Sequence, residues 1–432
     1  MQTYLFRHDY CPVMERYNPW WSGEPDEAYE AWKSSELKWL PEIIENLEMK
    51  PFSLHFITGP RQVGKTTALK ILASRLVESV NPKSVFYYSC DELHDYSDLG
   101  EVLDSYIASR DAWKVKGSVI LLDEVTFVEE WWRAVKSRID AGTFKKDVLV
   151  VTGSASIDLL RQKEMFPGRR GHGRDHVMLP LDFSRFAGLV GGLELKSGVL
   201  SSLAENVKAN GMFTERLGAL LEKYLEVGGF PRSVQDYART GKVSVGTSRT
   251  YMDWLRGDWN RAGKSDRYMK EVVSYLMRAA GTTVSWNSIS SQTSVNSPHT
   301  VQSYVEALEG MYALLPLSHL AADGRVEHRK NKKLHLMDPF IFKVLGEYVR
   351  QEVSTDWVLE ATVSSHLSRL SPVYYWRNHT EVDVVCLDGK RQIGFEVTSG
   401  LKKWKAPWHL DEAHVLDKKN AHLYLASMHA IG

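Results

Sequence analysis

Apolar and polar positions alternate along this chain in three ways. Short, mainly apolar runs at 54–58, 119–122 and 147–152 show no polar face. They predict strands buried on both sides, as in a parallel sheet. After the first run, Ala68, Leu69, Leu72, Leu76 and Val77 recur at helical spacing. From about 190 to 265 the spacing stays helical, as in "RLGALLEKYLEV", until Gly228-Gly229-Phe230-Pro231 interrupts it as a turn. An α/β core with a helical lid behind it is the expectation.

The pattern changes at 268. "YMKEVVSYLMRAAG" predicts a helix closed by Gly281, and "SWNSISSQT" a short second helix. "SVNS" is a turn, and "PHTVQSYVEALEGM" opens a third helix with Pro298 in its first turn. Val301, Tyr304, Val305 and Leu308 make its apolar stripe. "YALLPLSHL" and "KKLHLMD" can pair as two strands around the tip "DGRVEHRKNKK". Helix, helix, turn, helix and two-stranded wing predict a winged helix-turn-helix. The outward face of the third helix, with His299, Thr300, Gln302, Ser303 and Glu306, offers hydrogen bonds but little positive charge. Arg325, Arg329, Lys330, Lys332 and Lys333 at the wing tip are expected to supply charge for phosphates.

The last part reads as one amphipathic helix, "WVLEATVSSHLSRL", carrying Glu360, and then strands. "PVYYWRNHTEVDVVCLDG" gives two strands, the second with Asp383. A turn at Asp388-Gly389 leads to "QIGFEVTSG" with Glu396.

Composition bounds the rest. In 432 residues, 43% hydrophobic content is ample for several packed cores, and balanced charge at 25% suits a soluble protein. No apolar run reaches about 18 residues, so no membrane span is expected. The first residues lack an apolar stretch after a basic start, so a secretory leader is not expected either. Cys11, Cys90 and Cys386 are far apart and match no zinc spacing, which suits a reducing, cytoplasmic setting. Charge is uneven despite its balance. The stretches 161–176 and 323–333 each hold five Lys or Arg against two acids, enough for a local phosphate-binding patch.

Candidate chemistry begins after the first strand. Gly59, Pro60, Arg61, Gln62, Val63, Gly64, Lys65 and Thr66 fit G-x-x-x-x-G-K-[ST], with Thr67 next, between a strand and a helix. The glycines let the backbone curl so that its N–H groups face phosphate oxygens, and the helix N-terminus adds its dipole. Lys65 would reach the terminal phosphates of ATP and the Thr66 hydroxyl would hold Mg²⁺. The strand at 119–122 ends in Asp123 and Glu124. Asp123 is placed to hold Mg²⁺ through water, and Glu124 to polarise the attacking water.

The next strand ends in "TGSAS" and resembles the sensor-1 strand of AAA+ ATPases. The resemblance implies that Ser154 touches the γ-phosphate or the attacking water. It also implies that Arg169 or Arg170, in the glycine-rich stretch that follows, serves a neighbouring subunit's γ-phosphate, so that the protein is a homo-oligomer.

The chain as a whole resembles a large prokaryotic, archaeal-type family of AAA+ ATPases with a nuclease-like tail. The matching pieces keep the family's order: "NPWW" (18–21), "GPRQVGKTT" (59–67), "LLDEV" (121–125), "VTGSAS" (151–156), "LPLDFSRF" (179–186), "YLEVGGFPRSV" (224–234), "YYWRNHTEVDVV" (374–385) and "GFEVTSG" (394–400). The resemblance implies a P-loop core over 1–190, a helical lid over 191–267, a winged helix-turn-helix over 268–340 and a restriction-endonuclease-like tail over 341–432.

The tail resembles the PD-(D/E)xK nuclease core, which implies Asp383 and Glu396 as metal ligands and Glu360 as a supporting acid. Thr398 stands where that family carries lysine. Threonine has no charge to offset a transition state, and Lys402 or Lys403 would have to reach back from beyond Gly400. "KKWKAPWH" adds Trp404 and Trp408 beside lysines, a mixture that suits nucleic acid or a closed core edge. The leading expectation is an ATP-hydrolysing, oligomeric, DNA-binding machine. A nucleotide-gated switch with a protein partner or a role in transcription, and an ATP-dependent nuclease, stay open.

Overall fold

The computed structural model describes residues 10–153, 163–352, 354–398 and 404–429. The chain forms two compact units, the first ending at Leu179 and the second beginning at Pro180.

The first unit is built on β1 (Ser53–Thr58), β2 (Val85–Ser89), β3 (Val119–Asp123), β4 (Val148–Thr152) and β5 (Asp175–Val177). Their order is β2-β3-β4-β1-β5 and every pairing is parallel. Parallel strands need helical crossovers, and those helices cover both faces. Leu54, Phe56, Ile120, Leu122, Leu149 and Val151 share one core with Leu99, Leu103 and Tyr106 of the Tyr96–Ala112 helix and with Trp131. Ile57, Leu121, Val148 and Val150 face the opposite core, with Leu69, Ile71 and Leu72 of the Lys65–Val77 helix. Because side chains alternate along a strand, an unbroken apolar run supplies both cores.

The segment "NPWW" closes the β2 edge. The Asn18 amide mimics a neighbouring strand: it accepts from Tyr87 N–H at 2.7 Å and donates to Tyr87 C=O at 2.9 Å. Trp20 and Trp21 both donate their indole N–H to Val85 C=O, at 2.9 and 3.0 Å. An open sheet edge invites pairing with other chains, and these side chains occupy it.

The second unit starts with helices, among them Leu203–Asn210, Thr214–Val227, Pro231–Thr240 and Val245–Arg261. Asp266–Arg278, Trp286–Ser291 and Pro298–Gly310 follow. Val301, Tyr304, Val305 and Leu308 are buried, the stripe the sequence predicts. The strands of this unit are β6 (Thr283–Val284), which precedes the Trp286–Ser291 helix, β7 (Leu314–Leu320), β8 (Val326–Glu327), β9 (Lys332–Leu336), β10 (Val373–Arg377), β11 (Glu381–Asp388), β12 (Arg391–Val397) and β13 (Glu412–Leu416). β7 and β9 pair antiparallel, and so do β10, β11 and β12. A parallel pairing of Tyr374 and Tyr375 with Ser318 and His319 joins β10 to β7. The expected wing strands and the expected tail strands therefore belong to one eight-stranded sheet.

Two motifs find their physical reason here. Gly229 N–H donates to the buried carboxylate of Asp338 at 2.9 Å, and a Cβ on Gly228 would collide with that carboxylate. "LPLDFSRF" is held by Phe183 N–H donating to His366 Nε2 at 2.8 Å and by His429 Nδ1 on Asp182 at 2.6 Å.

Candidate nucleotide site and acidic centre

The loop after β1 demands glycine at both ends. Gly59 has φ 147°, and a Cβ there would strike the carbonyl oxygen of Met178. Gly64, at φ 96°, stands at the N-terminus of the Lys65–Val77 helix, which no side chain caps. Gln62 is also left-handed, at φ 58°. This tight curl precedes a helix start whose N–H groups favour an anion. Lys65 is only 5% exposed, and its ammonium donates to the carbonyls of Gly59 and Pro60 at 3.0 and 2.8 Å. Thr66 is exposed and Thr67 half-buried.

Asp123 ends β3 and is 1% exposed. Both of its oxygens are held by hydroxyls from neighbouring strands. Tyr87 donates to Oδ2 at 3.0 Å, and Thr152, at the end of β4, donates to Oδ1. Glu124 N–H donates to Thr152 Oγ1 at 3.2 Å. Glu124 itself is half-buried and left-handed at φ 57°, an uncommon conformation for a residue with a side chain. Burial and then the charge of Asp123 push the Tyr87 phenol well above its ordinary pKa, so it stays a donor. Beneath the Tyr87 ring, at 3.7 Å from its centroid, lies the Lys70 ammonium, which pairs with Asp26 at 3.0 Å. Burial lowers the pKa of Lys70, and Asp26 and Asp123 pull the other way.

Ser154 lies outside the described residues. Arg169 and Arg170 are both engaged within the chain, Arg169 with Asp140 at 2.6 Å and Arg170 with Asp175 at 2.9 Å. The glycines around them serve packing: a Cβ on Gly171 or Gly173 would collide with the carbonyl oxygen of Phe52 or Leu54.

In the second unit Glu360 and Asp383 come together, but around a residue assigned elsewhere from the sequence. Lys333 is 1% exposed. Its ammonium hydrogen-bonds Asp383 Oδ1 at 2.6 Å and Glu360 Oε1 at 2.8 Å, and pairs with Glu381 at 2.9 Å. This corrects the expectation that Lys333 is a wing-tip phosphate contact: three carboxylates hold it inside. Lys332 is half-buried and donates to Ser318 Oγ and His328 C=O, both at 3.0 Å. Arg325 pairs with Asp323 at 2.6 Å on the surface, and Arg329 and Lys330 are exposed.

Burial works against the Lys333 charge, yet Glu360, Asp383 and Glu381 outweigh it and raise its pKa. Glu360 is also raised, by burial first, with Asp383 and Glu381 adding and Lys333 opposing. Asp383 Oδ2 accepts from Val397 N–H at 2.8 Å. Glu396 is buried on β12, and Thr398 continues the pairing of β12 with β13 through its N–H to Leu416 C=O at 2.9 Å. Lys402 and Lys403 lie outside the described residues.

Sequence reasoning missed Tyr87, Thr152, Glu381 and the placement of Lys333. Only the last left a signal. In "KKLHL" the polar Lys333 and His335 share one face by strand alternation, and both are buried.

Comparison with known proteins agrees with the first unit. Residues 51–187 match a family profile described as an AAA domain, and residues 218–351 one described as a domain of unknown function. An uncharacterized ATP-binding protein of Methanocaldococcus jannaschii is 22% identical over 251 residues, 54% of this chain and 66% of the relative. An uncharacterized protein of the same organism is 23% identical over 204 residues, 45% of this chain and 41% of the relative. The chain thus spans less than two thirds of the length of either relative. The Walker-type ATPase of Pyrococcus abyssi is 14% identical with a TM-score of 0.42, over 74% of this chain and 95% of that one. The five-stranded parallel sheet of the first unit, 53–177, lies within the stretch that resembles an AAA domain. Among the described residues no helix is long and apolar enough to cross a membrane.

Proposed function

We propose that this chain binds Mg²⁺·ATP at the loop 59–67, hydrolyses it, and couples turnover to DNA as part of a homo-oligomer. The observation that carries the reading is Asp123, a buried carboxylate with both oxygens held by hydroxyls. It lies on the same carboxyl edge of an all-parallel sheet as the glycine loop. That donor set fits a nucleotide and its metal: backbone N–H groups and Lys65 for phosphates, the Thr66 hydroxyl and Asp123 for Mg²⁺. Bound Mg²⁺·ATP supplies the phosphoryl group and the charge that neutralises its oxygens. Lys65 exchanges the Gly59 and Pro60 carbonyls for phosphate oxygens. Asp123 would help hold the metal, and Glu124 would act as the base towards the attacking water. Ser154 would report on the γ-phosphate, and Arg169 or Arg170 would leave its intrachain carboxylate to serve a neighbouring subunit.

The DNA part rests on a groove of about 320 Å³ lined by Trp286, Asn287, Pro298, His328, Arg329 and Lys330. It lies between the starts of two helices and the loop before β9, which supports the reading of a winged helix-turn-helix. With Lys333 enclosed, Lys332 engaged and Arg325 paired with Asp323, Arg329 and Lys330 are the wing-tip cations left for phosphates, which favours weak, shape-guided binding. That same economy of charge favours, as a second reading, a nucleotide-gated switch with a protein partner.

ATP turnover measured with single-stranded, duplex and branched DNA tests the proposal. Stimulation by one of these supports it. Turnover indifferent to every DNA points to the switch, and absence of turnover overturns the ATPase reading.

A further inference from the structure

A nuclease-like tail implies a divalent metal between Asp383 and Glu396, and the geometry does not fit one. An ammonium with three carboxylate oxygens at 2.6, 2.8 and 2.9 Å stands at the acidic centre. The second oxygen of Asp383 is committed to Val397 N–H. Mg²⁺ needs oxygen ligands at about 2.0–2.1 Å in near-octahedral array, so it and the ammonium exclude one another. Among the described residues no group of three or more His, Cys, Asp or Glu side chains is arranged to hold a metal ion.

We propose that the Lys333 ammonium is the resident cation of this carboxylate centre, standing where a divalent metal would need to be, so that the centre clasps the wing strand to the tail instead of hydrolysing phosphodiesters. Its three carboxylates come from two elements, Glu360 from the Thr355–Ser368 helix and Glu381 and Asp383 from β11, whereas Lys333 comes from β9. One lysine therefore ties three elements together. The neighbour His335, 3.7 Å from Glu360, is buried, and burial followed by the Lys333 charge lowers its pKa to about 3, so it adds no competing cation.

Mn²⁺ binding to the full chain without nucleotide, followed by electron paramagnetic resonance, tests the assignment. The wild type and Asp383→Asn should bind Mn²⁺ alike, because the tail contributes no site. Lys333→Met should uncover one, binding tighter by about tenfold or more, the scale on which a lost partner alters a metal site. Asp383→Asn in that background should remove it. Wild-type binding that Asp383→Asn abolishes overturns the proposal, and this comparison stands even if Lys333→Met does not fold. A folded Lys333→Met chain with no added Mn²⁺ site overturns it too.

Discussion

The Tyr87 phenol donates to Asp123 Oδ2 at 3.0 Å from the strand beside it. Tyr87→Phe keeps the ring over Lys70 and removes only this bond. A hydrogen bond to a charged group contributes about 1.5–3 kcal/mol. Asp123 keeps its bond from Thr152 but loses its fixed orientation. The expected outcome is a higher Mg²⁺ concentration for half-maximal ATP turnover and weaker Mn²⁺ affinity in the nucleotide complex, with nucleotide binding in the absence of metal unchanged. An unaltered metal titration would show that Tyr87 does not position this acid.

Lys65 and Glu124 should fail differently. Lys65→Ala removes a charged phosphate contact and should weaken ATP binding, measured with a fluorescent nucleotide. Glu124→Gln should leave binding intact and trap ATP, because it removes only the base that acts on water. Normal turnover in Glu124→Gln would remove this residue from the chemistry.

The groove before β9 gives a third expectation. Arg329→Ala with Lys330→Ala should weaken DNA binding for all sequences alike and lower the salt slope by up to about two counterions. Lys333 is excluded from this set because it is enclosed. DNA affinity and salt slope at wild-type values would place the DNA contact elsewhere.

His366 predicts an acid-sensitive second unit. Its Nε2 accepts from Phe183 N–H and its Nδ1 donates to Thr362 C=O, both at 2.8 Å, so the ring is neutral. Burial first, then Arg369, lowers its pKa to about 3. The unfolded histidine takes a proton near its ordinary value of 6.5. Between 6.5 and 3 the unfolded chain binds the extra proton, so this stability contribution is complete above 6.5 and falls with pH across that window. One proton corresponds to about 1.4 kcal/mol per pH unit. Raised carboxyls oppose it, burial placing Asp338 at about 6. The measurement is therefore differential: urea unfolding of wild type against His366→Gln between about pH 6 and 4, inside that window. The wild type should lose more stability on acidification, and parallel curves would show that His366 takes up no proton on unfolding.

The strands β1, β3 and β4, the glycine loop and the acids Asp123 and Glu124 were legible in the sequence because each depends on neighbours a few residues away, whereas β2 and β5 were not. A short apolar run makes a buried strand, and the positive φ of Gly59 and Gly64 favours glycine at both ends of the loop, reinforced at Gly59 by the Met178 carbonyl. "GGFP" was legible as a turn, but the need for glycine there comes from Asp338, 109 residues away. The hydroxyls on Asp123 were not legible, because they depend on which strands flank β3 and in what register. Lys333 shows the limit most clearly. Local sequence puts it in a basic run beside a turn, where a lysine ordinarily faces water. Only the joining of β9 and β11 in one sheet, with the Thr355–Ser368 helix packed on it, brings three carboxylates around it. A charge is buried only when its partners arrive with it, and those partners lie 27 to 50 residues further along the chain.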